Sequence, residues 1–466
     1  MSSRICVAAA LLLAFAVPAA ARADELQSLR TEIEALKSDY AARLQALEVR
    51  IGELEAELEA QSQASAAQTA VAPPMPDVAP AAARNAMTAF NPAMSVILGG
   101  HYANVSQDPG SYAISGFVPS GGEIGPGERS FNLGESEMTL SANIDPYFSG
   151  AFTAAVTPEN EIEIEEAFFR TSALPAGFTV KGGRFFSGLG YLNEMHAHAW
   201  DFTDQPLAYQ AFFGGQLAQD GVQLKWIAPT DMYLEIGAES GNGQEFPGTR
   251  RAANGLNGAA LFAHVGADLG DSISWRAGAS YLDLRAADRT WEDVDDAGSP
   301  VLNAFTGTSR TWAGDFVLKW APQGNTAQRH LKVQGEYQRR EEEGDLAFDL
   351  EGLALSDGFR SRQSGWYLQS VYQFRPRWRA GVRYDALDSG DVRIGLVDEG
   401  ILPREAFPVL LEATPTRTTV MLDWNPSEFS RLRAQYAWDD ARDAERDRQV
   451  QVQYLYSLGA HGAHKF

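Results

Sequence analysis

Two histidines one residue apart, flanked by acids, are the groups in this sequence best suited to bind a cation. Glu194-Met195-His196-Ala197-His198 is followed by Asp201 and Asp204 within one polar stretch, Tyr191 to Asp220. Imidazole and carboxylate both ligate zinc-class cations, and His-x-His in a loop could supply two ligands at once. The candidate metal set is His196, His198 and Asp201. The same residues, with Glu194 and Asp204, could instead line a water-filled constriction or pack a loop. Other chemistry is thin. There is no Gly-x-Ser-x-Gly elbow and no phosphate loop, so an enzyme is not expected and no cofactor is implied. The single cysteine, Cys6, sits near the start, which leaves the rest of the chain without thiol chemistry.

The elements that must position these groups alternate with a period of two. Trp312, Gly314, Phe316, Leu318 and Trp320 oppose Asp315 and Lys319; Leu331, Val333, Gly335 and Tyr337 oppose Lys332, Gln334, Glu336 and Gln338. Such segments are strands with one apolar and one polar face. Short turns at Asp145-Pro146, 175–177, 229–231, 270–272, 322–328, 375–377 and 425–427 alternate with other, mostly longer connections. The latter run roughly over 103–130, 158–160, 191–220, 245–258, 289–308, 344–358, 391–415 and 444–446. Together they predict an all-β transmembrane barrel of about 16 antiparallel strands, with an aqueous lumen rather than a packed core. The parity slips near Glu165-Glu166, which predicts a bulge there. It also assigns inward charges. The basic ones are Lys181, Lys225, Arg276, Lys319, Lys332, Arg379, Arg383, Arg431 and Arg433. The acidic ones are Glu135, Glu137, Glu235, Glu239, Asp268, Asp315, Glu336, Asp385, Asp423 and Asp439.

The front of the chain reads differently. Residues 1–23 have the charge, apolar run and Ala-Arg-Ala site of a secretory signal peptide. Residues 24–60 carry an apolar stripe: Leu26, Leu29, Ile33, Leu36 and Tyr40, then Leu44, Leu47, Ile51, Leu54 and Leu58. This predicts a periplasmic α-helical coiled coil, with peptidoglycan as a further partner. Residues 61–92 are an Ala/Pro-rich linker, and 93–466 form the barrel. A formal net charge of −23 argues against a nucleic-acid partner. The last strand alternates Val452, Tyr454, Tyr456 and Leu458, and the chain stops on Phe466. It resembles the closing strand of bacterial outer-membrane barrels. That resemblance makes Phe466 a signal to the barrel-assembly machinery.

Four short motifs carry a more specific resemblance: Phe131-Asn132-Leu133-Gly134-Glu135, Glu165-Glu166-Ala167-Phe168, Lys181-Gly182-Gly183-Arg184-Phe185 and Asp220-Gly221-Val222-Gln223-Leu224. They look like the phosphate-selective porin family, from about Ser95 to Phe466. The resemblance implies a homotrimer of 16-stranded barrels in outer-membrane lipid, some members with a coiled coil. It also implies a third outer connection folded into the pore. Here that places Glu194, His196, His198, Asp201 and Asp204 in the constriction with Lys181, Lys225, Arg276, Arg379, Arg383, Arg431 and Arg433. The family draws anions with arginines and a lysine ladder; this chain is poor in lysine and mixed in sign. The expectation is a porin passing small hydrophilic solutes or ions passively. The alternatives are a zinc-linked uptake channel or receptor using the His-rich loop, and a structural tether acting through the coiled coil.

Overall fold

The computed structural model describes residues 92–459, apart from 122–123, 159–160, 250–253 and 443–445. The expected signal peptide, coiled coil, linker up to residue 91 and terminal Phe466 lie outside the described residues. Strand β1 (Ala93–Val105) pairs on one side with β2, which comes in two segments (Ser130–Asn132 and Ser136–Asn143). On its other side β1 pairs with the last strand, β16 (Asp447–Gly459). Short strands follow β2: β3 (Phe148–Val156), β4 (Ile162–Thr171), β5 (Phe178–Phe186), β6 (Ala218–Ile227), β7 (Tyr233–Gly241) and β8 (Gly258–Leu269). Long strands come next: β9 (Ile273–Val294), β10 (Pro300–Trp320), β11 (His330–Phe348), β12 (Leu355–Arg375) and β13 (Trp378–Ile394). Then come β14 (Thr416–Ser427) and β15 (Ser430–Asp440).

Each strand pairs antiparallel with its neighbours, and β1–β16 pairing closes the ring. The 17 strand segments of the sheet make sixteen barrel strands, because both β2 segments lie beside β1. Closure removes the exposed edge that an open sheet would offer. The break in β2 needs Gly134, whose φ of 58° suits glycine, and it brings the β2 backbone so close that a Cβ on Gly99 would lie 2.4 Å from the Glu135 carbonyl oxygen. The expected bulge in β4 is present. Pairing with β3 steps from Thr153↔Glu166 to Ala154↔Ile164 and skips Glu165.

Two connections expected as loops are largely strand. The 289–308 region narrows to a turn between Val294 and Pro300, and the 344–358 region to one between Phe348 and Leu355. The reason is a reversal of polarity along unbroken strands. On β10 the outward residues are Trp312 and Phe316, then Arg310 above them; on β12 they are Leu368 and Trp366, then Arg362 and Arg360. The switch falls at aromatic pairs, Tyr281 with Trp312 at 5.1 Å and Trp366 with Tyr384 at 5.5 Å. Above this girdle the outer face meets water and pairs charge with charge, as in Arg362–Glu341 at 3.0 Å and Arg360–Glu343 at 2.6 Å. Below it the outer face is an apolar belt including Leu98, Val222, Leu261, Phe316, Val382 and Leu432. No helix among the described residues is long and apolar enough to cross a membrane.

The expectation that the lumen holds no packed core is corrected by the interior. Ile114 and Phe117 from the first connection, and Leu189, Leu207, Tyr209 and Phe212 from the third, pack against wall residues Leu282, Leu284, Tyr367 and Leu387. Higher up, Phe305, Phe348, Phe359 and Ile394 pack with Leu396, Phe407 and Leu410 of the connection before β14. Many inward positions of the upper strands are apolar because they meet loops there instead of water.

The belt and the extension should respond differently to charge. Val382→Arg, on the lipid face of β13 between the Tyr384 and Trp378 levels, should cost about 2–4 kcal/mol of folding free energy in a bilayer. Glu292→Arg, exposed above the girdle on β9, should change it little. Urea unfolding in liposomes measures both, and equal costs would contradict the assignment of the extension to water.

Candidate functional site

Loop 3, residues 187–217 between β5 and β6, enters the barrel and touches walls on opposite sides. Its neck is tied by Asn193. The Asn193 amide nitrogen donates to the Ser187 carbonyl at 2.8 Å and the Leu217 carbonyl at 2.9 Å, and its oxygen accepts from the Leu217 N–H at 2.8 Å. Glu239 of β7 accepts from the Ser187 hydroxyl at 2.6 Å and the Gly188 N–H at 2.8 Å. Helix α1 (Leu207–Phe213) is buried at every residue and ends on Gly214, whose φ of 68° is the left-handed cap that glycine adopts most readily. Asp385 accepts from the N–H of Leu207 at its start, and the Arg340 guanidinium reaches the Ala211 carbonyl at 3.4 Å at its end.

One wall is basic and receives the aspartates. Asp201 meets Lys332 at 3.0 Å and Arg379 at 3.0 Å; Asp204 meets Arg383 at 3.0 Å and Arg417 at 2.8 Å. Arg433 donates to the Trp200 carbonyl at 2.7 Å and pairs with Asp423 at 2.9 Å. Arg431 donates to the carbonyls of His198 and Trp200, both at 3.2 Å. Burial alone would raise the Asp201 and Asp204 carboxyls. The charges of Lys332 and Arg379 on one, and of Arg383 and Arg417 on the other, outweigh it and hold both below the usual carboxylate range.

The facing wall is acidic and receives the histidines. His196 lies between Glu165 and Glu166, its Nδ1 3.0 Å from the first and its Nε2 3.1 Å from the second. His198 Nδ1 lies 2.8 Å from Glu137. Burial lowers the His196 imidazolium, but the hydrogen bonds with Glu165 and Glu166 and the charge of Glu137 more than reverse that. The bulge in β4 is what lets two successive glutamates reach one ring.

The structure thus brings most of the sequence-selected residues around loop 3, in two groups. Asp201 does not join the histidines; its oxygens face Lys332 and Arg379. Lys225 pairs with Glu235 at 3.0 Å and lies 3.9 Å from Glu194. Arg276 donates to the Gly190 carbonyl at 3.1 Å. Lys181 lies apart, 4.6 Å from the Phe168 ring centre. Sequence reasoning missed Arg417, Arg340, Glu342, Glu165 and Glu166 as partners. Arg340 and Glu342 simply continue the alternation Lys332, Gln334, Glu336, Gln338, and the parity slip at Glu165-Glu166 was itself the signal. Arg289, expected in a loop, forms a two-pronged pair with Glu342 at 2.7 and 2.9 Å.

A closed, even-stranded antiparallel barrel with an apolar belt outside and ordered charge inside is an outer-membrane β-barrel protein. The chain is 31% identical over 360 residues to an uncharacterized protein of Aquifex aeolicus (strain VF5), a match covering 73% of this chain and 71% of that one. It belongs to the family of that protein. No protein-family model matches. Among solved structures, it overlaps a loop L8 deletion mutant of OmpT, an outer-membrane protein of Vibrio cholerae, at a TM-score of 0.49 and 10% identity, over 79% of this chain and 99% of that one. The anion-selective porin from Comamonas acidovorans gives 0.47 and 10%, over 79% and 99% of the two chains. OprB of Pseudomonas putida gives 0.45 and 13%, over 79% and 94%.

The aspartate anchors fix a direction of pH dependence. A carboxyl held below its unfolded value of about 3.9 contributes stability that is complete above that value and lost as pH falls through the folded one. Through these two anchors loop 3 should therefore loosen as the pH falls. Hydrogen exchange of residues 198–213 should rise below about pH 4. In Asp201→Asn/Asp204→Asn the same rise should already be present at neutral pH.

Proposed function

We propose that the chain is a passive outer-membrane channel for small hydrophilic solutes, with loop 3 setting its aperture, and that it works as a homotrimer rather than as a catalyst. The observation that carries this reading is the chemistry of the inner wall around the loop. Lys332, Gln334 and Glu336 of β11, Gln369 of β12, Arg379 and Arg383 of β13 and Arg433 and Gln435 of β15 all lie on that side of the sheet. A barrel kept only for support would have no use for so many costly polar groups. Opposed charges across a passage order water and favour polar over apolar solutes.

The phosphate-selective pattern fits less well than a mixed one. The basic residues nearest the loop face Asp201, Asp204 and Asp423, so little of their charge is left for a passing anion. Selectivity by sign is therefore expected to be weak.

Planar-bilayer recording tests the reading. Current should come in triplet steps, with a small reversal potential in a salt gradient. Asp201→Asn/Asp204→Asn removes one carboxylate partner from each of Lys332, Arg379, Arg383 and Arg417, and should raise conductance and shift the reversal potential toward anions. No current from well-folded protein would overturn the channel reading and favour a tether acting through the predicted coiled coil.

A further inference from the structure

Where loop 3 meets β2 and β4, five ionisable side chains share one sheltered corner. His196 Nδ1 lies 3.0 Å from Glu165 Oε2 and 3.4 Å from Glu137 Oε2. One ligand atom from each of the three residues falls within 4.8 Å of the other two. On the far side of the ring, His196 Nε2 lies 3.1 Å from Glu166 Oε2. The other Glu137 oxygen lies 2.8 Å from His198 Nδ1, and the two imidazoles stack with centres 5.8 Å apart. Phe186 packs edge-on against His196 at 5.3 Å, and Glu137 is 3% exposed.

The spacing suits a small divalent cation. Ligands 2.0–2.1 Å from a tetrahedral centre lie about 3.3 Å from one another, close to the separations from His196 Nδ1 to both glutamates. The surroundings suit one as well. A ligating imidazole normally gives its other N–H to a carboxylate, which fixes tautomer and ring orientation, and Glu166 stands in that place. Charge points the same way. Asp201 and Asp204 are matched by lysine and arginine, whereas Glu137, Glu165 and Glu166 are brought against imidazoles, which are ligands as well as bases. The bulge at Glu165 turns a second carboxylate inward where a regular strand would turn it to lipid.

We propose that Glu137, Glu165 and His196 bind one divalent transition-metal cation of the zinc class. Glu166 positions His196, and His198 faces the site beside Glu137. Bound there, the cation fastens loop 3 to β2 and β4, opposite the aspartate anchors. The proposal does not rest on the channel reading, since it is tested by binding and not by current.

The test uses the full chain, folded in detergent, stripped with a chelator and titrated calorimetrically with zinc alone. One chelator-reversible site per chain is expected. His196→Ala and Glu165→Gln should abolish it or weaken it beyond detection. Glu166→Gln should weaken it by about 10–100-fold, the usual effect of losing an orienting partner. His330→Ala, at a turn far along the chain where Nδ1 meets the Thr326 carbonyl, should leave it unchanged. Heat-modifiable gel mobility shows whether each variant folds. X-ray absorption at the zinc edge of the unaltered protein gives a readout free of mutation, and a nitrogen/oxygen shell with one or two imidazoles is expected. No saturable uptake at millimolar zinc would overturn the proposal. So would stoichiometric uptake that survives both His196→Ala and Glu165→Gln, or a shell without imidazole.

Discussion

A charged loop inside a barrel is the constraint to which the rest of this structure answers. Loop 3 carries Glu194, His196, His198, Asp201 and Asp204 away from bulk water, and each buried charge without a partner costs several kcal/mol. The wall supplies partners with matching sign. Bases of β11, β13 and β14 take the aspartates, and acids of β2 and β4 take the histidines. The loop is thus suspended between two walls of opposite charge, and neither wall would be well satisfied without it. Arg383, Arg417 and Arg433 are almost fully buried, and each of them touches loop 3. Loop placement therefore depends on the register of β11, β13 and β14, which carry the bases that the aspartates meet.

The second organising fact is that one strand serves two solvents. A period of two carries no information about which face is apolar; the surroundings decide that. On β10 and β11 the lipid face is Phe316, Trp312 and Tyr337 near the membrane and becomes Arg310, Arg339 and Glu341 above it, while Leu346 and Phe348 turn inward. The pairing runs through this exchange without interruption.

How much could be read in advance follows from that. Strand number and the bulge at Glu165 were legible because lipid enforces a strict alternation and one extra residue breaks it. Residues 289–308 and 344–358 were mistaken for loops because both faces there change character together, and polar-outside alternation looks like no pattern at all. The packed interior was missed for the same reason, since Leu282 and Leu284 point to loops and not to lipid. In the site, the histidines and aspartates could be listed but not sorted. His198 and Glu137 are 61 positions apart, and Asp204 and Arg417 are further still. Only the register of the closed ring decides which wall each one reaches.

The unequal wall heights have a consequence for the neighbourhood of the molecule. Strand β9 has 22 residues and β3 has 9. At the usual strand rise and tilt, the difference is about 30 Å of extra height. The barrel is therefore a tower with a parapet on one flank only. Anything approaching along the membrane surface meets a charged screen from that flank and a low sill from the other.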